Sequence, residues 1–109
     1  MIKTQSKTMW EMVSVPKNAI ARQFASEKTG KKFCEIVMPD NVPDVGGWHF
    51  YMPESCVEDG TDGSVRLLFP PSWLTIRFLS PYVPGKRSNI IDFPIDFALS
   101  LFREVFRLP

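Results

Sequence analysis

Residues 92–106 read DFPIDFALSLFREVF, and this stretch indicates the architecture more clearly than any other part of the chain. Asp92 is of a residue type favoured at helix N-caps, and Pro94 is tolerated in the first turn of a helix. Apolar residues then recur at spacings of three and four, the pattern of a helix with one buried face. They are Ile95, Ala98, Leu99, Phe102, Val105 and Phe106, with Phe97, Leu101 and Leu108 on a neighbouring face. We therefore expect a C-terminal helix that opens at Phe93-Pro94 and anchors the fold.

The apolar arc of this helix is wide, since at about 100° per residue it covers more than half of the circumference. Burial of one large apolar side chain stabilises a protein by about 1.5–3 kcal/mol, so this arc needs a covering surface. A sheet of the same chain is one such surface. The same helix of a second copy is another, and it would give a homodimer through the C-terminal helix.

The residues before the helix predict short antiparallel strands. The clearest signal is a hairpin, in which residues 19–25 and 32–38 alternate in polarity around a polar turn that ends at Gly30. Further extended stretches are 9–15, 48–52, 64–69 and 73–79. We expect an α+β fold, an antiparallel β-meander of about five or six strands, as a sheet or partial barrel, covered by one C-terminal helix. The 109 residues fit a single domain, 1–109, with the polar residues 1–8 as a loose N-terminal arm.

The composition excludes several classes of protein. Hydrophobic residues make up 44% and charged residues 23%, which is typical of a globular domain. A net charge of +1 argues against a protein that coats polyanions. No apolar stretch approaches the roughly 18–20 residues of a membrane span, and the first seven residues lack the apolar core of a signal peptide. Two cysteines fit reduced thiols, so we expect a cytoplasmic location and no membrane partner.

Residues that carry chemistry are few. His49 is the only histidine, and neither a nucleophile elbow nor a third orienting residue accompanies it with Cys34 or Cys56. The chain lacks the ligand spacing of a zinc site, the EF-hand pattern and a phosphate-binding glycine loop, so we expect no metal, no cofactor and no catalysis. An enzyme built around His49 is the remaining alternative. We expect Cys34 to be buried within its apolar run and Cys56 to be more exposed.

Charge is segregated along the chain. Residues 39–64 carry six acids and no Lys or Arg, a net charge of −6, whereas residues 1–38 carry +4 and residues 65–109 carry +3. An acidic segment with exposed aromatic residues fits docking onto a basic protein surface, although turn-forming acids also gather in ordinary loops. The first hypothesis is therefore a non-catalytic protein-binding module. Its candidate partner-binding residues are Asp40, Asp44, Trp48, Tyr51, Glu54, Glu58, Asp59 and Asp62.

The predicted hairpin, in contrast to the acidic segment, suggests an anionic ligand. Its cations interleave with Phe24 and Phe33, a pattern typical of a β-sheet that stacks bases and follows phosphates. An ordinary hairpin with solvated lysines and core phenylalanines would show the same pattern. The alternative hypothesis is a small β-domain that binds single-stranded DNA or RNA. Its candidate residues are Arg22, Lys28, Lys31 and Lys32.

The short chain, the hairpin of residues 19–38, the acidic residues 39–64 and the absence of a catalytic signature form a recognisable combination. In this overall style the sequence resembles small accessory proteins of bacterial mobile elements and phages, the group that includes anti-CRISPR inhibitors. The resemblance implies that the protein inhibits a nuclease or another nucleic-acid-binding enzyme by docking on its surface. It assigns a role to no individual residue.

Overall fold

Eight strands and one α-helix make up residues 10–106, the part of the chain that the computed structural model describes. Two 3₁₀ turns, Lys17–Ala19 and Glu54–Cys56, connect strands. The strands are β1 Glu11–Pro16, β2 Ile20–Ala25, β3 Lys32–Val37, β4 His49–Pro53, β5 Val57–Asp59, β6 Ser64–Phe69, β7 Thr75–Leu79 and β8 Ile90–Pro94. The helix α1 is Ile95–Val105. The expected loose arm, residues 1–8, and Leu108 lie outside the described residues.

The strands form two antiparallel sheets. One has three strands in the order β1-β6-β5, and the other has five in the order β2-β3-β4-β7-β8. The predicted α+β fold with an antiparallel sheet under a C-terminal helix is confirmed. Neighbours in sequence pair through β2, β3 and β4, but β6 leaves this sheet to pair with β1. Eight strands appear instead of five or six. The short β5 has only three residues, two of them acidic, and gives no strand pattern, and β8 overlaps the predicted start of the helix.

Helix α1 packs on the inner face of the five-stranded sheet and closes the core. Phe102 is fully buried, and its ring centroid lies 4.9 Å from that of Phe50, 5.7 Å from Phe69 and 5.8 Å from Phe78. These rings come from the helix and from both sheets, so one aromatic cluster holds the three elements together. The opposite face of the five-stranded sheet is left without a covering element among the described residues.

The helix begins later than the sequence pattern predicts. Asp92 is not an N-cap but a strand residue opposite Arg77, whose Nε and guanidinium NH₂ donate to the two carboxylate oxygens at 2.9 and 3.2 Å. Phe93 is also in the strand, because its ring packs edge-on against Phe78 at 5.3 Å. The helix follows Pro94 directly, and the main-chain N–H of Ile95 donates to the Leu74 carbonyl at 2.9 Å. That bond satisfies one of the main-chain donors that a side-chain cap would otherwise take.

Both cysteines are buried. Cys34 lies on the inner face of β3 as expected, and burial raises the pKa of its thiol. The expectation that Cys56 is exposed is wrong, since only 5% of its surface is accessible. The 3₁₀ turn that follows Pro53 brings the Cys56 side chain into the core cluster, whereas Glu54 at the start of the turn is exposed.

Candidate functional site

The uncovered side of the five-stranded sheet carries the most distinctive group of side chains. Side chains alternate along each strand, so Cys34 and Ile36 of β3 point into the core while Phe33 and Glu35 point outward. We call this uncovered side the outer face. Its side chains on β3 and β4 are half-buried, whereas Thr75 and Arg77 of β7 and the facing residues of β8 are exposed.

Four rings form a continuous row across three strands of the outer face. We call Phe33, Phe24, Tyr51 and His49 the aromatic row. Phe33 and Phe24 are opposite each other in the β2–β3 register, with ring centroids 5.8 Å apart. Phe24 meets Tyr51 edge-on at 5.4 Å, and Tyr51 meets His49 edge-on at 5.3 Å. The row therefore presents ring surface to solvent from β2 to β4.

Arg22 adds a cationic plane to this row. Its guanidinium carbon lies 4.7 Å from the centroid of the Phe24 ring, a cation–π distance. Its Nε donates to the Glu35 carboxylate at 3.2 Å. The hydrogen bond to Glu35 is the main cause that raises the pKa of Arg22. The contact with Phe24 and the bond to Glu35 hold the guanidinium over the outer face.

Three lysines stand at one end of the aromatic row. Lys28 lies in the β2–β3 turn, and Lys31 and Lys32 follow it at the start of β3; we call them the lysine hairpin. The turn is closed by two main-chain bonds between Ser26 and residues Gly30 and Lys31, both at 2.8 Å, and Gly30 has a φ of +73°. All three lysines are exposed and form no ion pair with any residue from 10 to 106. Lys31 and Lys32 line one cavity together with Phe33, which brings cations beside the end of the aromatic row.

The acidic candidates are divided between the two ends of the molecule. Glu54 follows the last residue of β4 and borders the lysine hairpin, while the loop of Asp40 and Asp44 precedes the first residue of β4. Asp59 ends β5 and Asp62 lies in the next turn. There the Gly63 carbonyl accepts a hydrogen bond from the main-chain N–H of Lys17 at 3.0 Å. Lys17 begins the 3₁₀ turn Lys17–Ala19, and residues of this turn line one cavity together with Asp40. The turn therefore connects the two groups of acids at one end of the molecule. We call the group at this end the acidic end; its members are Asp40, Asp44, Asp59 and Asp62.

The remaining candidates of the first hypothesis have other surroundings. Glu58 is paired with Arg66 at 3.5 Å, so part of its charge is neutralised. Trp48 is half-buried against the core, and Tyr51 belongs to the aromatic row rather than to the acidic loops. Asp44 and Asp62 have φ values of 68° and 56°, which Asp adopts more readily than most residues. The backbone conformation of these turns is thus a sufficient reason for aspartate at positions 44 and 62.

A cleft interrupts the outer face between β4 and β7. In the described ladder these strands pair only at His49 and Leu79, and beyond that point they diverge. The gap has a volume of about 440 Å³. Its lining residues are Tyr51, Trp73, Leu74, Thr75, Ile76, Arg77 and Leu79. A second cavity of about 670 Å³ runs from the lysine hairpin to Trp73, so the two cavities share a wall.

The sequence did not predict the cleft, although two signals for it exist. Pro53 ends β4, and a proline has no N–H to donate to a neighbouring strand. Pro70 and Pro71 precede β7, which keeps the chain before Thr75 out of a regular ladder. Prolines at the facing ends of two strands favour a gap between them.

The structure separates the groups that an enzyme centred on His49 would use. His49 is on the outer face, whereas the Cys34 side chain is on the inner face of the adjacent strand, with the sheet between them. Cys56 lies beyond Pro53, at the end of β4 opposite to His49.

Residues 10–106 contain no group of three or more His, Cys, Asp or Glu side chains that could hold a metal ion. No helix in the same range is long and apolar enough to cross a membrane. Comparisons with protein-family models, with curated proteins and with solved structures found no match.

Proposed function

We propose that this protein binds single-stranded nucleic acid on the outer face of its five-stranded sheet. The observation that carries the proposal is the junction of the aromatic row with the lysine hairpin. Phe33 belongs to the row, and Lys31 and Lys32 immediately precede it with no ion-pair partner in the described chain. Lys32 alternates with Phe33 along β3 and points to the other face of the strand, but Lys31, Lys32 and Phe33 all line the cavity of about 670 Å³. Cations that contact phosphates therefore lie beside a ring that stacks bases.

Physical chemistry favours an unpaired strand over a duplex. Base stacking needs accessible π-faces, and the bases of a duplex already stack on one another. The half-buried rings of Tyr51 and His49 lie at the level of the sheet, where a splayed base can reach them. Arg22, whose guanidinium carbon lies over the Phe24 ring, offers a further plane on which a base can stack. A duplex would meet only the three lysines.

The salt dependence of binding provides a quantitative expectation. Each phosphate neutralised on a single strand contributes about −0.7 to the slope of log K against log salt, so three lysines give about −2. A fourfold rise in salt should then weaken binding by about 20-fold. Glu27 and Glu54 lie near the lysines and keep the local charge modest, so we expect weak to moderate affinity at physiological salt.

The decisive experiment is a fluorescence anisotropy titration with labelled oligothymidylate at several salt concentrations. Substituting Lys28, Lys31 and Lys32 together with Gln should remove most of the salt slope. The matched control replaces Lys86 and Arg87, two exposed cations in the β7–β8 loop, and should keep the slope. Absence of binding even at low salt would refute the proposal.

A second variant set tests the rings. Tyr51→Ala should weaken binding by about 5- to 150-fold, the effect of losing one stacked base, while Tyr51→Phe should retain the affinity because the ring remains. Equal losses in both variants would mean that the hydroxyl, and not the ring, makes the contact. The thermal midpoint of each variant, measured alongside, separates a lost contact from a lost fold.

A protein-docking function is the second candidate, and the acidic end favours it. Its four carboxylates lie at one end of the molecule and form no ion pair with the described residues. Such a surface would raise the rate of association with a basic partner, as an anti-CRISPR-type inhibitor of a nucleic-acid-binding enzyme requires. The test is a DNA-cleavage assay with an RNA-guided nuclease. Inhibition should disappear when the four Asp residues become Asn and should persist in Glu54→Gln.

Self-association through α1 is a further proposal with its own measurement. The buried residues of the helix pack inside the chain, but Phe97 is 53% exposed on its outer surface. A homodimer would cover this ring. The chain has a mass of 12.5 kDa, and light scattering should give twice this value. Phe97→Asp should return the measured mass to that of the monomer.

A further inference from the structure

The cleft between β4 and β7 exposes main-chain groups as well as side chains. The Trp48 carbonyl accepts from the Met38 N–H at 2.8 Å, so the Trp48 main chain faces β3. Main-chain direction alternates along a strand, and the N–H and C=O of Tyr51 therefore point toward β7. The carbonyl of Leu74 accepts from Ile95, on the far side of β7. By the same alternation the main chain of Arg77 points toward β4.

Tyr51 and Arg77 would face each other in a continued antiparallel ladder. Counting back from the His49–Leu79 pair gives this register, but the strands have already diverged and the two residues do not pair. Each offers one donor and one acceptor to the cleft. A ligand that fits between them needs a flat edge with its own donor and acceptor, so that these main-chain groups are satisfied.

The charge of the cleft points to a neutral ligand. Arg77 is the one ionised side chain among its lining residues, and both of its bonds to Asp92 hold the guanidinium on the β8 side. The cleft therefore has no free cation for a phosphate. Unpaired lysines are available at the hairpin, beyond the neighbouring cavity that shares Trp73.

The walls of the cleft are suited to a planar group. Tyr51 closes one side and is the member of the aromatic row next to the gap, while Trp73 and Leu74 line the other. Leu74 is 78% exposed, a large fraction for an apolar side chain. A heterocycle lying in the gap would cover part of it. The volume of about 440 Å³ accommodates one base.

We propose that the cleft between β4 and β7 holds one nucleobase of the bound single strand and reads its edge through the main chains of Tyr51 and Arg77. This inference rests on the proposed nucleic-acid binding. The phosphates lie toward the lysine hairpin, and one base leaves the stack on the aromatic row to enter the gap. The position of that base sets a preference among the four bases at one site of the strand.

The test uses oligothymidylates in which one abasic site is moved stepwise along the strand, measured by fluorescence anisotropy. One position should lose about 5- to 150-fold in affinity, as expected for the loss of a bound base, and the other positions should lose less. Thr75→Trp fills the cleft and should remove this difference between positions. Ile90→Trp places the same side chain on the exposed edge strand, outside the cleft lining, and should keep the difference.

The other outcomes separate the two proposals. Binding that keeps its salt slope but is indifferent to the position of the abasic site overturns the cleft inference and leaves nucleic-acid binding intact. Loss of position dependence in both Trp variants also overturns it, since the effect would not come from the cleft. No binding at low salt overturns both proposals. An extended peptide that binds the wild type, is excluded by Thr75→Trp and competes with no oligonucleotide would show that the cleft takes a polypeptide instead.

Discussion

Removing the ring of Phe102 should destabilise the protein more than any other single truncation in α1. The side chain is fully buried and contacts Phe50, Phe69 and Phe78, with ring centroids between 4.9 and 5.8 Å apart. Truncating such a residue to Ala costs about 3–5 kcal/mol, because contacts are lost and a cavity remains. Domains of this size have about 5–15 kcal/mol of stability in total, so Phe102→Ala should remove between about a fifth and all of it.

A matched control lies five residues away on the same helix. Phe97 is 53% exposed and touches Phe93 with a centroid distance of 4.8 Å, so Phe97→Ala should cost only about 0.5–1.5 kcal/mol, the range of one aromatic pair. Urea unfolding followed by circular dichroism gives both free energies with a common slope. If Phe102→Ala loses less than about 1.5 kcal/mol, or no more than Phe97→Ala, the helix does not close the core as described.

Three further outcomes follow from the structure. The buried thiol of Cys34 has a raised pKa and should react with Ellman's reagent only on unfolding; fast labelling of the native protein would contradict its burial. Hydrogen bonds from Arg77 lower the pKa of Asp92 in the folded protein. Their contribution to the free energy of unfolding is therefore complete above the pKa of about 3.9 that Asp has in the unfolded chain, and it is lost as pH falls through the lower pKa of the folded state. The thermal midpoint should accordingly fall more steeply in acid for the wild type than for Asp92→Asn, and parallel curves would refute this. Gly46→Ala would push a Cβ into the Asp40 carbonyl and should cost about 1–3 kcal/mol by urea titration, whereas an unchanged midpoint would show that this loop can move.

The sequence was informative wherever one periodicity ran without interruption. β3 alternates cleanly, and beyond an irregularity between Ile20 and Arg22 the structure pairs Phe24 with Phe33 as the alternation of the hairpin requires. The helix was visible from its spacing of three and four, and Phe102 lies at the centre of the buried face. In both cases local preference and tertiary burial favour the same conformation.

The start of the helix could not be read correctly, because two local signals conflict with a long-range one. Asp92 and Pro94 are common at helix starts, but Arg77 opposite Asp92 supplies a better partner for the carboxylate than an N-cap would. That pairing depends on a residue fifteen positions away. Single-residue propensity carries no information on it.

The candidate site was only partly visible for a similar reason. The lysine hairpin and two rings of the aromatic row are close in sequence and were recognised together. Tyr51 and His49 join the same row through the β3–β4 register, so the sequence had grouped Tyr51 with the nearby acids instead. The cleft is a property of two strands that fail to pair, and pairing partners are not written in either strand alone.

The direct passage from β8 into α1 couples the sheet edge to the helix mechanically. No linker separates Pro94 from Ile95, and the Ile95 N–H is tied to Leu74. We therefore expect that separation of the helix from the core also breaks the pairing of β8 with β7. We expect likewise that local unfolding of β8 unwinds the first turn of the helix. Amide hydrogen exchange in the two elements should proceed as one cooperative opening, with a single free energy shared by residues 90–105.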